Sequence, residues 1–591
     1  MKKVVLLNII TLLSGLNVLI SCGENRDISI KTAEDGSVSI CFEASAKYLI
    51  LPVEDRGEER KIVISVAGKQ EDTYIVRLAK TKPDYLVPLE LSDWKGKEIT
   101  ITVPDKSAIC LSEVKLSDTF EVEQAEKYRP GYHFTPPYGW MNDPNGMVYY
   151  NGEYHLFYQY NPFGTRWQNM SWGHAVSKDL IRWEHLPVAL RPDSLGTIFS
   201  GSAVVDINNT AGFQTGNEKT LLAFYTQSER GGQWQSLAYS NDKGRSWTKY
   251  NANPVLKHAS ARDFRDPKVF WYKPLQRWIM VLAVGQAVEI YSSADAKKWT
   301  YESDFGAGYG AHTGVWECPD LFELQVQGTD ESKWVLLVNL SGGTQYFTGI
   351  FDGKNFVCEN PPGEIHWMDY GSDHYATVTW SDIPGNRRVA IAWMCNPGYA
   401  GDVPTQNFRS AMSIPRELKL IQQGSGYRLT SYPVEETGKL RGSKTEYAGI
   451  RITKDEYSLD NLLQPNEGRY ELLIDLDAGS ADTVGFVLSD NDKSGYIKIY
   501  ISRPEGKIFF DRTHSGNFSD RFSGIIHAPI AKKESYRLRL LVDNASVECF
   551  EGNGEISITN VIFPYSPYNR IGFYAGGGEY TVKKLEIYPL K

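Results

Sequence analysis

Trp140-Met141-Asn142-Asp143-Pro144-Asn145-Gly146 runs without a break into the β-rich stretch from Met147 to Tyr160. Asp-Pro and Asn-Gly are both turn-favouring dipeptides. The spacing predicts a tight turn leading into a strand, with Asp143 held on rigid backbone between an indole and an amide. Alone, such a motif reads as an ordinary Asx turn. Two further short acidic stretches follow it in order, Arg265-Asp266-Pro267 and Glu317-Cys318-Pro319-Asp320.

Outward from these motifs, residues 130–425 read as strand and turn throughout. Apolar runs such as Leu221–Gln227, Arg277–Gly285 and Trp334–Leu340 recur, and no long stretch has helical periodicity. Motif-like stretches return near residues 142, 200, 265, 317 and 372, a beat of about 50 to 65 residues, which is the period of propeller blades. Five beats predict five blades. The pattern Ser-x-Asp followed by Trp supports the repeat, at Ser177 to Trp183, Ser240 to Trp247 and Ser293 to Trp299. Residues 435–591 predict a second all-β domain, with period-two strands such as Tyr470–Ala478 and Tyr536–Asp543. Residues 23–125 predict a small N-terminal β domain, joined to the propeller by the charged stretch 121–129, which reads as a linker. Asp490-Asn491-Asp492 resembles the start of a calcium loop but lacks its closing Glu, so it reads as a polar hairpin turn.

Composition narrows the function. Net charge is −9, and no Lys/Arg run or basic patch speaks for nucleic acid. Of the 15 Trp, all but Trp94 lie between Trp140 and Trp393. Most are expected in the core, and a few against sugar rings, whose apolar faces pack on flat aromatic ones. The seven Cys form no C-x-x-C pair and no His-Glu-x-x-His occurs, so no metal site or metal cofactor is expected. Cys41 and Cys110 are read as buried free thiols, a disulfide between them being the alternative. Residues 1–22 read as a targeting segment: Lys2 and Lys3, an apolar run too short and interrupted to span a membrane, then Leu19-Ile20-Ser21-Cys22. That ending resembles a bacterial lipobox, which implies acylation of Cys22 and an exported protein tethered to a membrane.

Three carboxylates on separate blades of a propeller converge only near its axis. A close pair suits glycoside hydrolysis with retention, one acid as nucleophile and the other as acid/base. Asp143, beside Asn142, is the better candidate for an ionised nucleophile. Glu317, between Val315-Trp316 and Cys318-Pro319, has the semi-apolar surroundings that suit a general acid. Arg265 next to Asp266 offers a planar fork and an anion for clamping hydroxyls.

In this order and spacing the three motifs resemble those of glycoside hydrolase family 32, the invertases, inulinases and levanases. The likeness extends to Tyr154–Pro162, Trp172–Ala175, Phe199–Ser202, Arg409–Met412 and Pro415–Leu418, and to Phe510–Arg512 and Asp543–Phe550 near the C-terminus. It covers residues 130–591. The resemblance implies a five-bladed β-propeller followed by a β-sandwich, and hydrolysis of β-fructosidic bonds without a cofactor. It makes Asp143 the nucleophile, Glu317 the acid/base and Asp266 the stabiliser of the transition state. Asn142, Gln159, Trp167, Phe199, Ser200, Arg265 and Trp393 match positions lining the fructose subsite. The chain lacks a Trp found in many relatives after the run Ala392-Trp393-Met394, which bears on subsites beyond the first sugar. Residues 24–125 resemble a small domain attached to some exported relatives, read here as a spacer or packing partner. The expected partner is a fructan, levan or inulin, with sucrose possible, cut at chain ends with release of fructose. Endo-acting cleavage is the alternative, and a non-catalytic fructan-binding lipoprotein the alternative of another class. Oligomeric state and linkage preference are left open.

Overall fold

The computed structural model describes residues 28–105, 109–122, 125–453, 457–459 and 468–591. The targeting segment and Cys22 lie outside the described residues. The chain divides into two compact units between Glu121 and Val122.

The first unit packs a five-stranded sheet, from Ile28–Thr32 to Lys69–Val76, with a three-stranded one centred on Tyr48–Val53. Its strands alternate as period two demands: Val38, Ile40, Ile62, Ile64, Ile99 and Ile101 point inward and are buried. Cys41 and Cys110 are both free thiols, each partly exposed rather than buried. Cys41 lies instead beside the Thr100 hydroxyl, 3.6 Å away.

In the second unit five sheets follow one another along the chain, each built outward from a first, innermost strand. Those inner strands are Gly139–Tyr150, Thr197–Asp206, Phe264–Tyr272, Glu317–Gln325 and Tyr375–Thr379. They coincide with the five sequence beats. The last sheet closes on the first: Tyr149 N–H donates to Ser381 O at 2.9 Å, and Phe408–Arg409 pairs in parallel with Gly139-Trp140. The Ser-x-Asp repeats cap equivalent turns at the blade rims. Asp179, Asp242 and Asp295 each accept backbone N–H groups of the turn that follows. Trp172, Trp316 and Trp380 are fully buried between blades, while Trp167 is half exposed.

Two six-stranded sheets form the C-terminal sandwich around Leu472, Ile474, Phe486, Ile499, Phe510, Leu538, Val547 and Phe573. The expected polar turn at Asp490 is there, its carboxylate accepting the Ser494 and Gly495 N–H groups. Buried ion pairs join sandwich to propeller. Arg512 Nη1 lies 2.6 Å from Asp373 Oδ2 and donates Nη2 to the Tyr399 hydroxyl at 2.9 Å, and that hydroxyl bonds the same aspartate. Arg416 pairs with Asp369 at 2.7 Å, and Thr559 of the sandwich bonds that carboxylate too.

The stretch read as a charged linker behaves differently at its C-terminal end. Glu126 is buried and accepts the Gln406 and Asn407 N–H groups, and Arg129 covers the Phe408 ring at 3.9 Å and donates to Pro136 O. Buried charges need partners, and here Glu126 and Arg129 pair with each other at 3.6 Å while backbone groups of the propeller supply the rest.

Candidate active site

The predicted turn at Asp143 is instead bulged strand. In the inner strands three residue steps repeatedly lie opposite two of the neighbouring strand. The shifts fall between Met141 and Pro144, Ile198 and Gly201, Arg265 and Lys268, Glu317 and Asp320, and Tyr375 and Val378. A bulge bends a strand and re-aims its side chains. Five bulges at one level thus turn Asp143, Ser200, Asp266, Glu317 and Tyr375 toward the axis. Asp266 and Cys318 accordingly have left-handed backbone, at φ 64° and 44°. Tertiary contacts hold these conformations: Asp266 N–H donates to the Thr226 hydroxyl of the preceding blade at 2.9 Å, and Asn339 Nδ2 donates to Cys318 O at 2.9 Å.

The Asp143 carboxylate accepts from Ser200 Oγ at 2.7 Å and from Asn142 Nδ2 at 3.1 Å. Asn142 is in turn fixed by the Trp140 indole at 2.7 Å. The Cys318 thiol lies between two acids, 3.5 Å from Asp143 Oδ2 and 3.6 Å from Asp266 Oδ2, and its N–H donates to Asp266 at 2.9 Å. Arg265 donates Nε and Nη2 to Glu317 Oε1 at 3.3 and 3.0 Å and lies 3.9 Å from Asp266. The other Glu317 oxygen accepts from the Tyr375 hydroxyl. One connected cluster therefore holds Asp143, Asp266, Glu317, Asn142, Ser200 and Arg265. A narrow axial cavity lined by Ser202, Asp266, Lys268, Cys318 and Thr379 lies alongside it. A wider cleft between residues 125–131 and the sandwich contains none of the acids.

Burial dominates the electrostatics. It pushes the Asp143 carboxyl up, Glu317 adding to the effect and the Ser200 and Asn142 hydrogen bonds opposing it. Asp143 keeps some exposed surface, yet dense packing encloses its carboxylate, and this burial opposes the ionised form read from Asn142 beside it in the sequence. Burial pushes Asp266 to about 7 against the pull of Arg265. The Cys318 thiol is driven well above its usual range by burial and by Asp266 and Asp143, so it stays a neutral donor. Burial and Glu317 do the same to the Tyr375 hydroxyl.

The remaining candidates line the surroundings. Phe199 precedes Ser200, and its carbonyl takes the Trp172 indole N–H at 2.9 Å. Trp167 sits edge-to-face with Phe199, centroids 5.9 Å apart, and is 50% exposed. Trp393 is buried, 6.2 Å from Trp140 and 6.4 Å from Tyr375, and its indole N–H has no protein partner. Gln159 lies in the strand beside the Asn142-Asp143 bulge, opposite Trp172, and its buried Nε2 also lacks a protein partner. It hydrogen-bonds to none of the three acids. Sequence reasoning passed over Cys318 and Tyr375 as functional groups. Cys318 lay inside a recognised motif and Tyr375 beside the last sequence beat, but only the bulge decides that they turn inward.

Family profiles match most of the chain. "Glycosyl hydrolases family 32 N-terminal domain" matches residues 133–433 and "Glycosyl hydrolases family 32 C terminal" residues 436–589. The chain belongs to glycosyl hydrolase family 32. It is thus a glycoside hydrolase with an all-β fold. A domain of unknown function, DUF4980, matches residues 34–132. Among relatives in family 32, a levanase of Bacillus subtilis (strain 168) is 51% identical over 483 residues, covering 79% of this chain and 71% of that protein. A levanbiose-producing levanase of the same strain is 35% identical, covering 79% and 91%. The crystal structure of the exo-inulinase from Aspergillus awamori superposes with a TM-score of 0.74 at 35% identity, covering 80% of this chain and 99% of that one.

Proposed function

We propose that this family 32 enzyme hydrolyses fructans with retention of configuration, levan foremost, and releases fructose from chain ends. The observation that carries the mechanism is the three-acid cluster on the bulged inner strands, with Asp143 and Glu317 in different hydrogen-bonding environments. Asp143 attacks the anomeric carbon of the terminal fructosyl unit while Glu317 gives its proton to the departing oxygen. Glu317 then takes a proton from water, whose oxygen attacks the same carbon and frees Asp143. The Glu317 side chain is 32% exposed against 6% for Asp266, which suits the group that must meet water. With Glu317 protonated, its repulsion of Asp143 disappears, and the Ser200 and Asn142 hydrogen bonds favour the Asp143 anion. Asp266, steadied by the Cys318 N–H, accepts hydroxyls of the fructosyl ring and offsets its developing positive charge. Asn142, Gln159, Trp167, Phe199, Ser200, Arg265 and Trp393 form the surrounding subsite. The unpartnered Gln159 amide and Trp393 indole are donors suited to sugar hydroxyls.

Levan comes first because the levanase cited above shares half of its aligned residues with this chain. Levan, inulin and sucrose offered in parallel, with products sized by chromatography, test the proposal. Fructose alone from the first minutes, fastest from levan, is expected. A ladder of oligosaccharides from levan would replace chain-end release with internal cleavage. Binding without turnover would sink the mechanism. We further propose that the enzyme acts outside the cytoplasm, tethered through an acylated Cys22. Cys22→Ala should then release it from the membrane fraction, and retention there would refute the anchor.

A further inference from the structure

The Arg265 guanidinium touches Glu317 with only one of its two edges. On the other, Nη1 donates to Asp263 Oδ1 at 2.7 Å and to Gln233 Oε1 at 3.3 Å. Gln233 belongs to the second blade, in strand Gly232–Ser240, and the same carbonyl oxygen accepts the Phe264 N–H at 2.9 Å. One side-chain oxygen therefore ties the backbone and the guanidinium of the third blade's inner strand to its neighbour. A guanidinium donates through a rigid planar fork. Pinning Nη1 fixes rotation about the Cδ–Nε bond and thus the angle at which Nε and Nη2 meet Glu317.

We propose that Asp263 and Gln233 are positioning residues for the acid/base. They touch neither Glu317 nor substrate, and they act by holding Arg265 and by sharing its charge. This rests on Glu317 being the acid/base. Arg265 faces three carboxylates, Asp263, Asp266 and Glu317. Glu317 faces Arg265 from the third blade and Tyr375 from the fifth, with Asp143, Asp266 and the Cys318 thiol as its other titratable neighbours. Removing the Asp263 charge leaves more of the Arg265 charge to Glu317 and takes away one nearby anion. Both effects favour the Glu317 anion, the form that cannot protonate a leaving group.

The test is Asp263→Asn, which keeps the shape of a side chain that is 35% exposed, together with Gln233→Ala as an independent lesion of the same clamp. In Asp263→Asn, kcat/KM on levan is expected to fall about tenfold, and the basic limb of its pH profile to move down by about half a unit. With p-nitrophenyl β-fructofuranoside, whose leaving group needs no proton, kcat should stay within about twofold of the parent. Asp263→Glu should restore part of the levan activity. Gln233→Ala should lose levan activity selectively, without the pH shift. Equal losses on both substrates, or an unmoved pH limb in Asp263→Asn, would overturn the inference. Glu317→Gln run alongside separates the two claims. If it still hydrolyses levan, the acid/base assignment itself is wrong. If it is inactive and Asp263→Asn behaves like the parent, only the positioning role falls.

Discussion

Asp266→Asn should make the protein more stable while abolishing most of its activity, and the gain should depend on pH. Burial lifts the Asp266 carboxyl from an ordinary 3.8 to about 7. A group whose pKa is raised by folding favours the fold when protonated. Its contribution is therefore fully present below about pH 4 and is lost as pH rises to about 7. A shift of about three units corresponds to roughly 4 kcal/mol at pH 8, where the native state holds an anion the unfolded chain would keep in water. Asn removes that charge, keeps an oxygen for the Cys318 N–H, and tolerates the left-handed backbone at φ 64°. For a cooperative unit of several hundred residues the unfolding entropy is about 1 kcal/mol/K, so the melting temperature at pH 8 should rise by about 4 °C. Thermal scans of parent and variant at one scan rate, from pH 4.5 to pH 8.5, measure this. The difference should shrink steadily toward acid pH. A variant that melts with or below the parent at pH 8, or a gain that is flat with pH, would refute the linkage.

Other outcomes follow from the same geometry. Asp143→Ala and Glu317→Ala should each lose levan hydrolysis by at least about a thousandfold with melting temperatures near the parent's, and full activity in either would remove the assigned roles. Asp373→Ala leaves Arg512 buried without its carboxylate, and should lower stability by about 3 to 5 kcal/mol, read as an early melting transition. Trp167→Ala should raise KM for levan several-fold with little change in melting temperature, because the ring is half exposed.

Much of this protein is legible in its sequence. The spacing of the motifs near 142, 200, 265, 317 and 372 anticipates the five inner strands, since each blade repeats the same strand pattern. Local chemistry misled at Asp143-Pro144-Asn145-Gly146, where turn-favouring residues serve a bulge in a long strand. A bulge and a turn demand similar backbone, and only pairing with the strand Glu153–Asn161 distinguishes them. The charged stretch before residue 130 misled for a related reason. Glu126 and Arg129 look solvated in one dimension and are buried by segments far along the chain.

By itself the sequence determined the class of fold, the order of the blades and where three candidate acids stand in it, because motifs and periodicity are local properties. Tertiary structure alone decided how those acids differ. Asp143 and Asp266 share one thiol, Glu317 is held between Arg265 and Tyr375, and Asp263 with Gln233 grips Arg265 from behind. All of these but the Asp263–Arg265 contact join residues on different blades. Their energies depend on burial and on distances of a few ångströms, which exist only once the propeller has closed.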